Sequence, residues 1–146
     1  MNANTFSYAG FWRRFAAYVF DSVILGYFFN NIYWFIVNQM RLGFRGDVDS
    51  ELISTFVIFP IFGIIAWCYF SGMESSPLQA TVGKYLVGIY VTDSNGERIS
   101  FGRATGRYFA KILSGIILSI GYLMAGFTEK KQALHDMVAN SLVLKR

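Results

Sequence analysis

Arg14-Phe-Ala-Ala-Tyr18-Val-Phe-Asp21 heads an apolar run that continues to Val37, long enough to cross a bilayer. An ionised carboxylate inside hydrocarbon costs a few kcal/mol or more, so Asp21 needs a partner or a purpose. Arg14, Tyr18 and Asp21 stand at i, i+4 and i+7, along one helical face. Arg14 and Asp21 are nevertheless about 10 Å apart along the axis, and an arginine side chain on a helix leans toward the N-terminus, away from the acid. Arg14 is better placed to reach headgroups or the C-terminal tail than to neutralise Asp21. Tyr18 can hydrogen-bond the acid but brings no charge.

Composition sets the class. Hydrophobic residues make up 54% of 146 and charged residues only 15%, with a mean hydropathy of +0.40, which excludes an ordinary soluble domain and predicts an integral membrane protein. The first apolar run exceeds a typical signal-peptide core, contains an acid and lacks a small-x-small cleavage pattern, so it is expected to remain in the mature chain. The single cysteine, Cys68, rules out an intrachain disulfide and leaves the redox compartment open. The net charge of +4 comes from bases that flank apolar segments, so lipid phosphate, not nucleic acid, is the expected counter-charge.

Three apolar segments, about 14–40, 52–70 and 108–127, organise one membrane domain over residues 1–146, with Pro60 a candidate kink in the second. Arg13 and Arg14 stand unopposed before the first, whereas the following loop, Arg41 to Glu51, is acidic. The positive-inside bias therefore predicts a cytoplasmic N-terminus, with the plasma membrane as the expected location. Val87-Gly-Ile-Tyr-Val-Thr-Asp93, the turn signal Ser94-Asn95-Gly96 and Glu97-Arg-Ile-Ser100 predict a small cytoplasmic β-hairpin. Ser141-Leu-Val-Leu-Lys145 can add a third strand, giving a β element over about 85–100 and 141–145. Strands join only on one side of a membrane. Gly115, Gly121 and Gly126, with Lys130, Lys131, Lys145 and Arg146 in the tail, favour a third segment that re-enters and returns, although glycines also occur in spanning helices. The expected fold class is thus an all-α integral membrane protein with two spanning helices, a third spanning or re-entrant segment, and a cytoplasmic hairpin or three-stranded sheet.

Arg103, Arg107 and Lys111 form a basic stripe at i, i+4 and i+8. They either snorkel to lipid phosphate or, through Lys111 or Arg107, meet Asp21. Asp21 itself is read either as a hydrogen-bond anchor between helices or as a proton- or cation-holding group. In the tail, Gln132-Ala-Leu-His135-Asp136-Met-Val-Ala-Asn140 predicts a short amphipathic helix. His135, the only histidine, is read either as a proton carrier or as a structural group; neighbouring residues there point about 100° apart, so His135 and Asp136 are not a dyad, and a structural hydrogen bond or an arginine partner is expected for either. One His and one Cys make no metal set, no nucleophile-base-acid triad assembles, and Gly83-Lys84 lacks the first glycine and the Ser/Thr of a phosphate loop. No cofactor and no enzymatic activity are expected.

Trp12-Arg-Arg-Phe-Ala-Ala-Tyr-Val-Phe-Asp21, Ser76-Pro-Leu-Gln-Ala-Thr-Val-Gly-Lys84, Phe101-Gly-Arg103 and Gln132-Ala-Leu-His-Asp136 together resemble the RDD family of small membrane proteins. The resemblance spans almost the whole chain and implies that Arg14, Asp21 and Asp136 are the residues for which the family is named. It also implies transport of an unidentified ligand or cation/proton exchange. Arg14–Asp21 further echoes Arg107–Ser114, as transporter repeats can. On this reading Asp21 binds a monovalent cation or proton, Arg14 tunes it, and Asp136 pairs with Arg14 or relays the ion. Three apolar segments cannot easily enclose a polar path, so a homo-oligomer or a partner membrane protein is expected beside the lipid bilayer. The alternative is a non-transporting adaptor that recruits a protein through the β element.

Overall fold

The computed structural model describes residues 6–43, 50–116, 128 and 131–146. Helix α1 (Phe11–Gly43) has 33 residues. At 1.5 Å per residue it is about 50 Å long, more than the roughly 30 Å hydrocarbon core requires. A short helix α2 (Ser50–Ile53) and a π-helical turn (Ser54–Ile58) lead into α3 (Phe59–Ser75). Pro60 lies in the first turn of α3, where its missing N–H leaves no bond unmade. The wide turn falls where the proline ring would otherwise crowd the carbonyl of Phe56, so the expected kink takes the form of a π turn ahead of the proline. Phe29 stacks on Phe62 at 4.6 Å and Tyr33 on Phe59 at 6.4 Å, and the opposite order of the numbers makes α1 and α3 antiparallel. Phe11–Met40 of α1 and Thr55–Ser75, which joins the π turn to α3, are each long and apolar enough to cross a membrane. Only 11% of the apolar window in each is buried within the protein, so their side chains face outward, as lipid-facing helices require.

The polar end is built on a two-stranded sheet. Strand β1 (Ile89–Asp93) pairs antiparallel with β2 (Ser141–Lys145), with Ile89 opposite Lys145 and Asp93 opposite Ser141. The expected hairpin does not form. Its turn is present: Asp93 Oδ1 accepts the N–H groups of Asn95 and Glu97 at 2.8 and 2.9 Å, and Gly96 takes φ +87°. The chain then runs to Ser100, whose carbonyl and hydroxyl accept N–H groups at the start of α5 (Phe101–Ile116). The tail supplies the partner strand because Leu142, Val143 and Leu144 are all buried there, whereas Glu97–Ser100 offers Ile99 alone. On the far side of β2, the Ala9 N–H donates to the Val143 carbonyl and the Lys145 N–H to the Ser7 carbonyl, each at 2.8 Å. The N-terminal segment thus supplies the third row.

The outer edge of β1 is closed. Gln79, at φ 54°, accepts the Val91 N–H on its carbonyl at 2.7 Å and returns a side-chain N–H to the Val91 carbonyl at 3.0 Å. Since β1 precedes α5 and β2 follows it, their pairing puts both strands on one side of any bilayer that α1 and α3 cross. The choice between spanning and re-entry for segment 108–127 rests on residues 117–127, outside the described residues. Two short helices complete this end, α4 (Val82–Leu86) and α6 (Leu134–Val138), around a small core that includes Ala9, Ala17, Ile89, Val91 and Val143.

Gly83 fixes α4 against α1. A Cβ at this position would collide with the Ala17 carbonyl oxygen and lie 2.9 Å from Asp21 Cγ. Gly83→Ala should therefore lower unfolding stability in detergent by about 1–3 kcal/mol. Gly106→Ala, with nothing within 4 Å, should be neutral or gain up to ~1 kcal/mol. Equal behaviour of the two variants would show that α4 does not rest on α1.

Candidate functional site: two buried carboxylate environments

Asp21, 2% exposed, lies at the start of α4. A helix begins with N–H groups that have no partner inside the helix, and here residues from α1 and α3 supply the partners. The Gly83 N–H donates to Asp21 Oδ1 at 2.8 Å, and the Val82 N–H to the Tyr69 hydroxyl at 3.1 Å. Tyr69 in turn donates to Asp21 Oδ1 at 3.0 Å, and the N-cap Thr81 donates its hydroxyl to Oδ2 at 2.5 Å. Every one of these donors is neutral. Tyr18, the expected hydrogen-bond partner, is 60% exposed. It sits three residues before Asp21, about 60° round the helix, which is enough to turn it outward.

The second environment holds two carboxylates and four cations. Glu74, near the end of α3, accepts Lys84 Nζ at 2.5 Å and Lys111 Nζ at 2.9 Å on the same oxygen, and Arg107 Nη1 at 2.9 Å on the other. Arg107 also grips Asp136 Oδ1 through Nε and Nη2 at 2.9 and 2.5 Å. Arg14 pairs with Asp136 Oδ2, and its other nitrogens donate to the carbonyls of Ala9 and Lys131 at 3.0 and 2.6 Å. Asp136 Oδ2 also accepts the Ala133 N–H at 3.1 Å, which caps α6. His135 Nε2 stands 3.5 Å from Asp136 Oδ1. Helices α1, α3 and α5 and the tail are thereby tied together. Such a cluster is tolerable in a low-dielectric interior only because each charge has several partners.

The surroundings shift the titration of these groups. Burial alone would raise the Asp136 carboxyl, but Arg107 and Arg14 hold it well below the usual carboxylate range. Burial pushes His135 down to about 3; Asp136 opposes this and Arg107, Lys111 and Lys84 reinforce it, so the imidazole is neutral at physiological pH.

The expected site residues fall into separate places. Arg14 and Asp136 meet; Asp21 stands apart from them with neutral donors. Neither Arg107 nor Lys111 reaches Asp21 as a counter-charge, because both are engaged by Glu74. Nor does the stripe simply snorkel: the Arg107 side chain is 1% exposed, and only Arg103, 48% exposed and 3.7 Å from Asp93, behaves as a surface base. The echo between Arg14 and Arg107 has a spatial counterpart, since the two arginines grip opposite oxygens of Asp136. Glu74, Lys84, Tyr69 and Thr81 escaped the sequence reading. The basic stripe was the available signal for Glu74, because a row of bases on a half-buried helix needs an acid opposite.

Removing one partner of a buried cluster strands the others. Glu74→Gln should cost about 3–5 kcal/mol of unfolding stability, and a denaturation midpoint matching the parent would show that the lysines and Arg107 do not depend on it. The pH response follows from His135. Its folded pKa lies below its unfolded one, so between about 6.5 and 3 the unfolded chain takes up a proton that the folded chain refuses. Stability therefore falls as pH drops through that window, by up to about 1.4 kcal/mol per pH unit. His135→Gln should flatten melting temperature against pH between about 6.5 and 4.5, and an unchanged slope would assign the effect to other groups.

Comparison with known proteins agrees with this architecture. Residues 8–140 match the model of the RDD family. The uncharacterized protein YxaI of Bacillus subtilis (strain 168) is 36% identical, covering 93% of this chain and 96% of its own length. From the same organism, the uncharacterized membrane protein YteJ is 25% identical, covering 96% and 82%, and the uncharacterized protein YckC is 24% identical, covering 96% and 86%. No solved structure matches. With two outward-facing apolar helices and a family match over nearly its whole length, the chain belongs to the RDD family of membrane proteins.

Proposed function

We propose that this protein transports a small monovalent cation in exchange for a proton, with Asp21 as the binding group. One observation carries the reading: among the described residues Asp21 is a buried carboxylate held by neutral donors alone, while the bases expected to neutralise it are engaged by Glu74 and Asp136. A carboxylate so placed takes a proton or a cation as its counter-charge, and mutual exclusion of the two at one site is the minimal basis of exchange. The Tyr69 and Thr81 hydroxyls are oxygen ligands already in place, able to turn their lone pairs to an ion. Arg14 and Asp136 act on the site from the cytoplasmic end, holding α1 to the tail. The N-terminal bases favour a plasma-membrane protein with its N-terminus inside. Two spanning helices enclose no aqueous path alone, so the working unit is a homo-oligomer or includes a partner membrane protein.

A second reading, a non-transporting membrane adaptor, draws support from the same geometry. The three donors to Asp21 fasten α4 to α1 and α3 and engage both carboxylate oxygens. Capture of a partner strand on β1 has little support, because Gln79 occupies that edge at Val91.

Ion dependence separates the two readings. On the transport reading, Na⁺, K⁺ or Li⁺ raises the melting temperature above a choline control of equal ionic strength, since a ligand stabilises the state that binds it. Asp21→Asn should abolish that rise, and cation-driven proton flux in proteoliposomes of the pure protein should disappear with it. Wild-type flux in Asp21→Asn would overturn the assignment, and absence of both flux and ion-dependent stabilisation in the parent would favour the adaptor.

A further inference from the structure

The outward face of α1 carries more than a lipid-facing helix needs. Phe20, Val23, Tyr27, Asn30 and Trp34 follow one another at intervals of three and four residues, the spacing of a seam between two helices. All five are exposed, Tyr27 by 75%. Lipid suits the rings and Val23, but not the amide of Asn30. Among the described residues nothing hydrogen-bonds that amide, and the neighbouring Asn31 donates one N–H to the Tyr27 carbonyl of its own helix, at 2.7 Å. Depth decides whether this matters. The stacks of Phe29 on Phe62 and Tyr33 on Phe59 put Asn30 level with Ile61, four residues from Ile65 at the centre of the span Thr55–Ser75. At 1.5 Å per residue that is about 6 Å from mid-bilayer, against a half-thickness of about 15 Å. An amide at that depth has no water to bond, and leaving it unpaired is costly. The span of α3 avoids the problem: it turns Ile61, Ile64 and Ile65 outward and holds no Asn or Gln.

We infer that this face of α1 is the interface with a second copy of the chain, in which the Asn30 amides of two parallel α1 helices hydrogen-bond each other. A second copy fits for three reasons. Copies inserted in the same orientation bring their Asn30 side chains to one depth, where a two-fold axis along the membrane normal sets each opposite the other. An amide both donates and accepts, so it is its own complement. The three-four spacing keeps one seam in contact along a left-handed crossing of about 20°, and a single Asn in such a seam fixes the register of the two helices. Asn30 lies nine residues from Asp21, about 180° round α1, so the interface leaves Asp21 and its contact with α4 uncovered. The second copy is the further subunit that the transport reading calls for, yet the interface rests on the amide and its depth, not on Asp21.

The test uses the full-length protein. Cys68, exposed on α3, is first removed by Cys68→Ser, so that any disulfide comes from an introduced cysteine. Oxidation in native membranes should then link Tyr27→Cys or Asn30→Cys into a product of twice the chain's 16.6 kDa, whereas Ile64→Cys on the outward side of α3 should stay monomeric. Sedimentation equilibrium in detergent should show a dimer in exchange with monomer, with Asn30→Leu weakening it about three- to tenfold and Asn30→Gln recovering part of the loss. Leucine is at home in lipid, so Asn30→Leu should fold, and an Asn30 that merely faced lipid would leave the dimerisation constant unchanged. A dimer of full strength without cation-driven flux would sink the transport reading and leave the interface standing. A strict monomer, an unchanged constant in Asn30→Leu, equal cross-linking through Ile64→Cys, or a cross-linked product of another mass would overturn the interface.

Discussion

The fold depends on the problem of keeping Glu74 and Asp136 charged away from water. A buried carboxylate is stable only with several donors, and among the described residues Arg107 is the one side chain that bonds both. It joins the end of α3 to α6 across α5, while Arg14 brings the start of α1 to the same Asp136. The apolar core at this end is small and includes alanines that bury little surface. Ion pairing therefore supplies much of the geometric definition that a larger core would otherwise provide, and the sheet of β1 and β2 is held beside it by the same tail.

Asp21 presents the opposite solution to the same problem. Its oxygens are met by two hydroxyls and a backbone N–H, so its charge is spread over dipoles rather than cancelled. The close approach that permits this comes from Gly83, where any larger residue would push α4 off α1. Among the described residues, one carboxylate met by neutral donors and a second region of paired charges are reached from successive levels of α1. That separation is the basis for proposing the exchangeable ion at Asp21.

Much of this organisation was legible in the chain. The 54% hydrophobic content and the runs around residues 14–40 and 52–70 implied two membrane helices, and the alternating Ser141–Lys145 run implied a strand. The Ser94-Asn95-Gly96 turn was legible too, but not its consequence. A turn signal reports local backbone preference, whereas strand pairing is decided by which partner buries more apolar surface, and that partner came from the far end of the chain.

Charge partners were legible only as a need. The sequence alone determined that Arg14 and Asp21 share one helix face and that Arg103, Arg107 and Lys111 share another, because helical periodicity converts spacing into direction. It could not determine which acid meets which base, since a contact between Arg107 and Glu74 spans 33 residues and one between Arg14 and Asp136 spans 122. Such contacts depend on how α1, α3 and α5 pack, and local propensity carries no information about that. Tertiary structure placed the bases with Glu74 and Asp136 and left Asp21 with neutral donors, because paired burial favours the acids that the bases can reach.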